Sequence, residues 1–530
     1  LLAHDPGMRA LLCLIWLILV PVSLPTPAVA GEVTLSSADL VETGSGARIA
    51  PDLVLPAEDR NVPIVGEANT QDGARLLRHL AGRGGINGFS GILYDNRDRG
   101  HSTLDPGLFP RLSRLVYGPA LVSEEQDYGL AGRILLPAVV FGNSSTAITN
   151  GPIPRSQVRL AMTSRMGQAI TPRLYETNAL YVYPEHRDHD SEDLFPANWP
   201  YTITSQGSSG SDRRFLVALA MTLAAFPADT FAALREAGLV APTLQMILRR
   251  NLATVSTRED YLSGRAHPVA FEPAQIRIGR MVAQAADLRA DAIPPMVRLK
   301  VVEDGFRPAA GLAGLDERLF DTPSAIARIW RSFDWDREMV VTAADTADPN
   351  ARPLRFEWRL LKGDPARVQI EPLDSEGRSA RITVAWHDPF SEPAPGGGED
   401  YATRRHARVD IGVFAHNGVH DSAPALVSIA FPAHQVRRYA AAESGGAPRL
   451  VSIDYDAAAR GAYFDPVLHW TAPWTDEARY DLDGTPLGWN RRWADGRERF
   501  VSFREMGNPA EPRYRIDRTA PERPQLRFDG

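Results

Sequence analysis

From about residue 61 to 300, short apolar runs alternate with stretches of helical period, the arrangement of an α/β unit. "ILLPAVVF" (134–141) predicts a buried strand, although Pro137 cannot donate to a ladder. "ALYVY" (179–183) predicts another from its β-branched and aromatic content. Between 212 and 289 the period changes. "DRRFLVALAMTLAAF" (212–226) repeats apolar residues at helical spacing and stops at Pro227, and "DTFAALREAG" (229–238) opens on Asp and closes on Gly. "APTLQMILRRNLA" (241–253) has Pro242 where a first turn tolerates it, and "PAQIRIGRMVAQAADL" (273–288) completes a run of about four helices.

After "IPPM" (293–296) the period becomes two. Six alternating runs, "MVVTAAD", "LRFEWRLL", "ARVQIEPL", "ARITVAW", "RVDIGVFAHN" and "ALVSIAF", lie between about 338 and 432 with turn residues between them. Such spacing predicts an antiparallel sandwich. Here "DTADPNARPLRFEW", "ARITVAWHD" and "VDIGVFAHNGVHDSAPALVSIAF" resemble the PKD and cadherin-like immunoglobulin-type modules of secreted bacterial proteins. The resemblance rests on Phe356, Trp358, Asn417, Asp421 and Ser422, covers under a fifth of the chain, and implies an immunoglobulin-like fold. A stricter copy has Asp in place of Ala415 or His416, so a calcium site is not part of what it implies. Trp358 is expected in the core.

The expected architecture is therefore multidomain: an α/β N-terminal domain with a helical half, then an antiparallel immunoglobulin-like β-sandwich, then a small β-rich C-terminal appendage. The divisions are 31–60 as a polar leader, 61–300 as the functional domain, 301–337 as a connector, 338–432 as the sandwich and 433–530 as the appendage. "EPAPGGGEDYATRR" (392–405) is expected as a long hairpin insert, and the Asp-Gly turn in "YDLDGTPLGWNRRW" (480–493) belongs to the appendage.

Residues 8–30, "MRALLCLIWLILVPVSLPTPAVA", change the picture of location. A basic Arg9, an apolar core from Leu11 to Val20 and small residues at Ala28 and Ala30 predict a secretory signal cleaved near Ala30, with residues 1–7 as an upstream extension. Export to the periplasm or the exterior follows, with no stable membrane span after cleavage. Cys13, the only cysteine, lies inside that signal. The mature chain then has no thiol chemistry, disulfide or thiolate metal site. A net charge of −7 argues against a nucleic-acid partner.

Three apolar runs enter dense polar stretches: "GFSGILYDNRDRGHS" (88–102), "ILLPAVVFGNSST" (134–146) and "ALYVYPEHRDHD" (179–190). If they are neighbouring parallel strands, their tails meet in one cleft. In the second, Asn143, Ser144, Ser145 and Thr146 offer short hydrogen-bonding side chains. In the third, His186 and His189 are interleaved with Glu185, Asp188 and Asp190. These five suit a divalent metal if one is present, non-metal catalysis by imidazole and carboxylate, or an ion-paired loop. No cofactor other than such a metal is expected.

"PYTITSQGSSGSDRRFLVALAMTLAAF" (200–226) predicts a strand, a Gly/Ser turn and a long helix. There Gly207 and Gly210 permit close backbone approach to an anion, and Ser208 or Ser209 approximates a nucleophile on a strand-to-helix turn. Asp212 or Ser211 equally serves as a plain helix cap. The candidate catalytic set is His186, His189, Asp188, Ser208 and Ser209. Asp95, Arg97, Asp98, Arg99, His101, Gly207, Gly210 and Asp212 are expected to bind substrate. The function expected is a secreted hydrolase or lyase acting on an extracellular, saccharide-type polymer or small molecule. The alternatives are a non-catalytic envelope or surface protein binding a glycan or protein partner, and a metal-dependent phosphoesterase.

Overall fold

The computed structural model describes residues 31–44, 46–130, 133–148, 155–308, 315–392, 403–433, 435–441, 446–455, 463–464, 469–470, 472, 474–502, 514–520 and 525–528. The expected signal and most of the 392–405 insert lie outside the described residues.

The first half is built on a six-stranded, wholly parallel sheet. Its strands are β1 (Glu32–Leu35), β2 (Ile92–Asn96), β3 (Ser113–Tyr117), β4 (Val139–Asn143), β5 (Ala179–Pro184) and β6 (Thr202–Ser205), in the spatial order β1-β3-β2-β4-β5-β6. Residues 32–35, expected in a leader, supply the edge strand: alternation in "EVTL" buries Val33 and Leu35 against the sheet's own core. Pro137 splits the expected strand 134–141, leaving a separate two-residue strand at Ile134–Leu135 ahead of β4. Strands β4 and β5 are buried along their whole length, as central strands of a parallel sheet covered on both faces must be, and so is β6 at the edge, which Phe271 covers beside Ser205.

Helices α1 (Ala74–Arg83), α2 (Gln157–Thr163), α3 (Arg165–Glu176), α4 (Arg213–Ala225), α5 (Ala228–Glu236), α6 (Val240–Arg250) and α7 (Ile278–Asp287) complete this half. The last four fall where period and punctuation place them. Helix α3 carries Pro172 in its interior, which hides it from a pattern search. Helix α4 packs on β4 and on α7, and α3 packs on β5.

The chain runs from β2 to β3 on one side and then crosses back to β4 on the other. The boundary between β2 and β4 is therefore the topological switch point, where open α/β sheets form a ligand crevice at the carboxyl ends of their strands. The three apolar runs that lead into polar tails are β2, β4 and β5, and they are adjacent parallel strands.

The second half holds two sheets that share one core. One contains Lys300–Asp304 (β7), Asp336–Thr342 (β10), Val368–Pro372 (β12) and Ser379–Ala385 (β13). The other contains Arg318–Thr322 (β8), Ala325–Ile329 (β9), Arg355–Lys362 (β11), Arg408–His416 (β14) and Ala425–Ala430 (β15). Alternation in "MVRLKVVED" (296–304) predicts β7, and the rest of 301–337, expected as a connector, supplies β8, β9 and the start of β10. All pairings are antiparallel except β9 with β15. Those two strands are a hundred residues apart, so no hairpin constrains their direction. Trp358 lies in this core, its indole N–H donating to the Gly377 carbonyl at 2.8 Å.

The two halves are fused rather than tethered. Phe320, Ala325, Ala327, Phe414 and Ala423 belong to the same continuous core as the α/β sheet. Among the described residues, no single helix is long and apolar enough to cross a membrane. A further sheet follows, of Val436–Ala440 (β16), Arg449–Asp454 (β17), Trp474–Tyr480 (β18), Pro486–Trp493 (β19) and Glu498–Ser502 (β20), beside a hairpin of Tyr514–Asp517 (β21) and Gln525–Phe528 (β22).

Candidate functional site

Alternation along β2 sends Asp95 to one face of the sheet and Tyr94 and Asn96 to the other. On the first face the Asp95 carboxylate, fully buried, accepts from Tyr181 Oη (2.6 Å), Tyr117 Oη (3.0 Å) and Arg97 Nε (2.8 Å). The Arg97 guanidinium lies 4.5 Å from the centroid of the Tyr181 ring. Asp95 and Arg97, expected to bind substrate, are therefore a buried ion pair of the core. Their charge is sealed under the sheet because the strand that carries Asp95 is covered on that face.

On the opposite face, at the switch point, a second polar set forms. Asp98 Oδ2 accepts from the Ser102 amide (2.7 Å), Ser145 Oγ (2.8 Å) and Asn143 Nδ2 (3.3 Å). Asp212 Oδ2 accepts from the same Asn143 amide group (2.7 Å), and its Oδ1 accepts from Ser102 Oγ (2.5 Å). Asn143 Oδ1 in turn accepts from Tyr94 Oη (2.8 Å). Asn143 stands directly opposite Asn96 in the ladder, whose Nδ2 donates to the Ser102 carbonyl at 2.7 Å. Asp98, Ser102, Asn143, Ser145 and Asp212 are all buried.

Asp212 occupies the N-cap position of α4, but its carboxylate makes no capping bond to that helix. The cap reading fails because the acid has turned into the cluster. Burial raises the Asp98 carboxyl above its ordinary range; bonds from Ser145 and Ser102 oppose this and the Asp212 charge adds to it.

Two imidazoles overlie the acids. His101, exposed, places Nδ1 3.2 Å from Ser145 Oγ. Since that hydroxyl donates to Asp98, the hydrogen bond requires Nδ1–H on His101, which leaves Nε2 unprotonated in the neutral ring. His186, half-buried, donates from Nε2 to the Ser145 carbonyl, and burial lowers its pKa. Arg99 is turned away, with a left-handed φ of 57° and a paired contact to Asp127 at 3.2 Å.

"YPEHRDHD" does not act as one unit. His186 and Arg187 both adopt positive φ (46° and 74°), and this reversal sends the two histidines in different directions. His189 is buried toward the second half of the chain, with Nδ1 2.9 Å from Gln206 Oε1 and Nε2 4.0 Å from Asp193. Burial lowers its pKa to about 4. Asp188 accepts from the Ser156 amide (2.7 Å) and hydroxyl (2.6 Å) and from Arg159 (3.2 Å), anchoring the start of α2. Asp190 is exposed, and its carbonyl accepts from Arg404.

Glu185 clasps the Gly/Ser turn. Its carboxylate accepts from the Gly207 amide (3.2 Å), Gln206 Nε2 (3.1 Å) and the His189 amide (2.9 Å), and burial raises its pKa to about 7. Gly207 and Gly210 have positive φ, so the turn does require glycine. Ser208 and Ser209 are exposed, and no side-chain hydrogen bond to a histidine is formed by either. The five residues offered as metal ligands thus do not converge: Glu185 and His189 share Gln206, His186 turns to Ser145, Asp188 to Ser156 and Arg159, and Asp190 is exposed. Among the described residues, no group of three or more histidine, cysteine, aspartate or glutamate side chains is placed to hold a metal ion.

The structure therefore unites Asp98, His101, His186 and Asp212 and separates His189, Asp188, Asp95, Arg97 and Arg99 from them. Asn143 and Ser145, expected to offer hydrogen-bonding side chains in the cleft, complete the cluster with Asn96 and Ser102, which were given no individual role. The one signal for them is that small polar residues replace apolar ones at the ends of two neighbouring strands.

No family model and no curated protein matches the chain. Among solved structures, it is similar to a nucleoside hydrolase-related hypothetical protein from Saccharophagus degradans that is associated with carbohydrate metabolism. That likeness has 10% identity, covers 64% of this chain and 99% of that one, and has a TM-score of 0.20. The N-terminal Ig1-2 module of the Drosophila receptor protein tyrosine phosphatase DLAR matches at 9% identity over 39% of this chain and 98% of its own, with a TM-score of 0.12. Scores this low establish neither a shared fold nor a shared activity.

Proposed function

We propose that this chain is an exported hydrolase acting on a saccharide-type substrate at the crevice between β2 and β4. The observation that carries the reading is Asp212. It stands at a helix N-cap, yet shares the Asn143 amide and the Ser102 hydroxyl with the Asp98 network instead of capping. In this reading the chain Asp98–Ser145–His101 fixes the His101 tautomer, and Nε2 takes a proton from an attacking water. The leaving oxygen then takes that proton back from His101 Nε2, so the ring ends as it began, while His186, its Nε2–H held by the Ser145 carbonyl, presents Nδ1 as an acceptor that positions a substrate hydroxyl. Hydroxyl-rich substrates suit a crevice lined with amide and hydroxyl groups. The immunoglobulin-like identity of the second half belongs to the same proposal: an accessory module fused to the catalytic half.

The test is a glycoside and ester panel run with wild type, His101→Ala and His186→Ala. Turnover falling about 100-fold or more in both, with unchanged circular dichroism, is the expected result. Retained turnover in both removes these residues from the chemistry.

A second reading, a non-catalytic glycan-binding surface, draws on the burial of Asp98 and Asp212, whose oxygens are bonded within the chain. Absence of turnover across the panel, with saccharide binding that His101→Ala weakens, would favour it.

A further inference from the structure

The C-terminal sheet and the hairpin β21–β22 enclose a cleft of about 660 Å³, within the size range of small-ligand sites. Its apolar wall includes Trp493 and Phe528, each half-buried, and its rim carries Arg497, Arg499 and Arg527. Its lining holds three arginines against two carboxylates, a local excess of positive charge on a chain whose net charge is −7.

Behind the cleft, Arg491 is fully buried, its Nε and Nη2 holding Asp476 at 2.7 and 2.6 Å and its guanidinium lying 4.0 Å from the centroid of the Trp474 ring, so it fixes the aromatic wall. Arg497 and Arg527 each use Nε on a neighbouring aspartate, at 2.7 Å to Asp495 and 3.3 Å to Asp517.

We propose that this cleft binds an anionic saccharide, a sugar chain bearing carboxylate or sulfate groups. Aromatic faces accept the C–H surface of a sugar ring, and guanidinium forks match carboxylate or sulfate oxygens. Glu498 and Gln525 along the lining can accept from and donate to hydroxyls. A nucleic acid fits less well, because the positive surface is confined to one end of an acidic chain. This site lies on a different sheet from the crevice and does not depend on its chemistry.

The full chain is titrated calorimetrically with an oligogalacturonate, with a sulfated heparin-derived oligosaccharide, and with a neutral cello-oligosaccharide. Binding of at least one anionic probe, weakened by added salt, is expected, and the two anionic arms tell carboxylate from sulfate preference. The exposed pair Arg497→Ala/Arg527→Ala should lose about tenfold or more in affinity at unchanged melting temperature. Trp493→Ala should weaken both arms alike; if that variant melts early, the arginine pair decides alone. The proposal is overturned by no binding of either anionic probe, by equal binding of the neutral one, or by unchanged affinity in the arginine pair. Tighter binding of a single-stranded oligonucleotide also overturns it.

Discussion

Replacing Asp95 by Asn tests whether the charge beneath the sheet is structural. The carboxylate has no exposure, and Arg97 beside it is only 2% exposed. Asn keeps the volume and one acceptor for the tyrosine hydroxyls, but leaves the guanidinium without an anion in a dry site. The face of Tyr181, 4.5 Å away, does not replace that charge. Breaking one partner of a buried pair in this way costs about 3–5 kcal/mol. Urea unfolding of the full chain should show that loss as an earlier transition of the α/β half. Adding Arg97→Met to Asp95→Asn should then restore a large part of it, because the orphaned cation is gone. A coupling energy of roughly 2 kcal/mol or more in the resulting double-mutant cycle is expected. A loss below about 1 kcal/mol in the single variant, or strictly additive effects in the pair, would refute the reasoning.

Gly142→Ala should prevent accumulation of folded protein, since a Cβ there would meet the Asp95 carbonyl oxygen at 2.0 Å and Tyr181 Cε1 at 2.8 Å; solubility and melting check it. Glu185, with its pKa raised to about 7, binds a proton more tightly folded than unfolded. Its contribution is therefore fully present below about pH 4.5 and is lost as pH rises through 7. Relative to Glu185→Gln, wild type should lose up to about 3 kcal/mol across that window by chemical denaturation, and parallel curves would sink the assignment. Ser208→Ala/Ser209→Ala should keep turnover within about tenfold of wild type in the glycoside and ester panel, whereas a nucleophilic serine predicts a loss of several orders of magnitude.

Much of the secondary structure is legible in order along the chain. Pro227, Asp229, Gly238 and Pro242 punctuate α4 to α6, and the period-two runs mark the strands of the second half. These are local effects, set by a residue and its neighbours a turn away. The crevice is only half legible in this sense. That polar tails follow β2, β4 and β5 can be read, and adjacent strand ends then bring those tails together. What each tail residue does cannot be read, because Ser102 meets Asp212 across 110 positions and Asn143 meets it across 69.

The histidine pair illustrates the limit. Spacing brings His186 and His189 within three residues, yet two left-handed φ values between β5 and the seam turn one toward Ser145 and the other toward Asp193. Asp193 itself is held by Arg408 at 2.8 Å from the second half, a contact that no local pattern encodes.

By itself, the sequence determined helices α4 to α7, the period-two strands of the second half and that polar residues end three strands, because backbone preference and hydrophobic period act over a few residues; it did not determine α3, β1, β8 or β9. Only the tertiary structure decided that Asp95 is sealed in the core while Asp98, three positions on, joins Asp212 and His101 at the crevice. That outcome depends on which face of a twisted parallel sheet each side chain meets, and on strand order, both products of long-range packing.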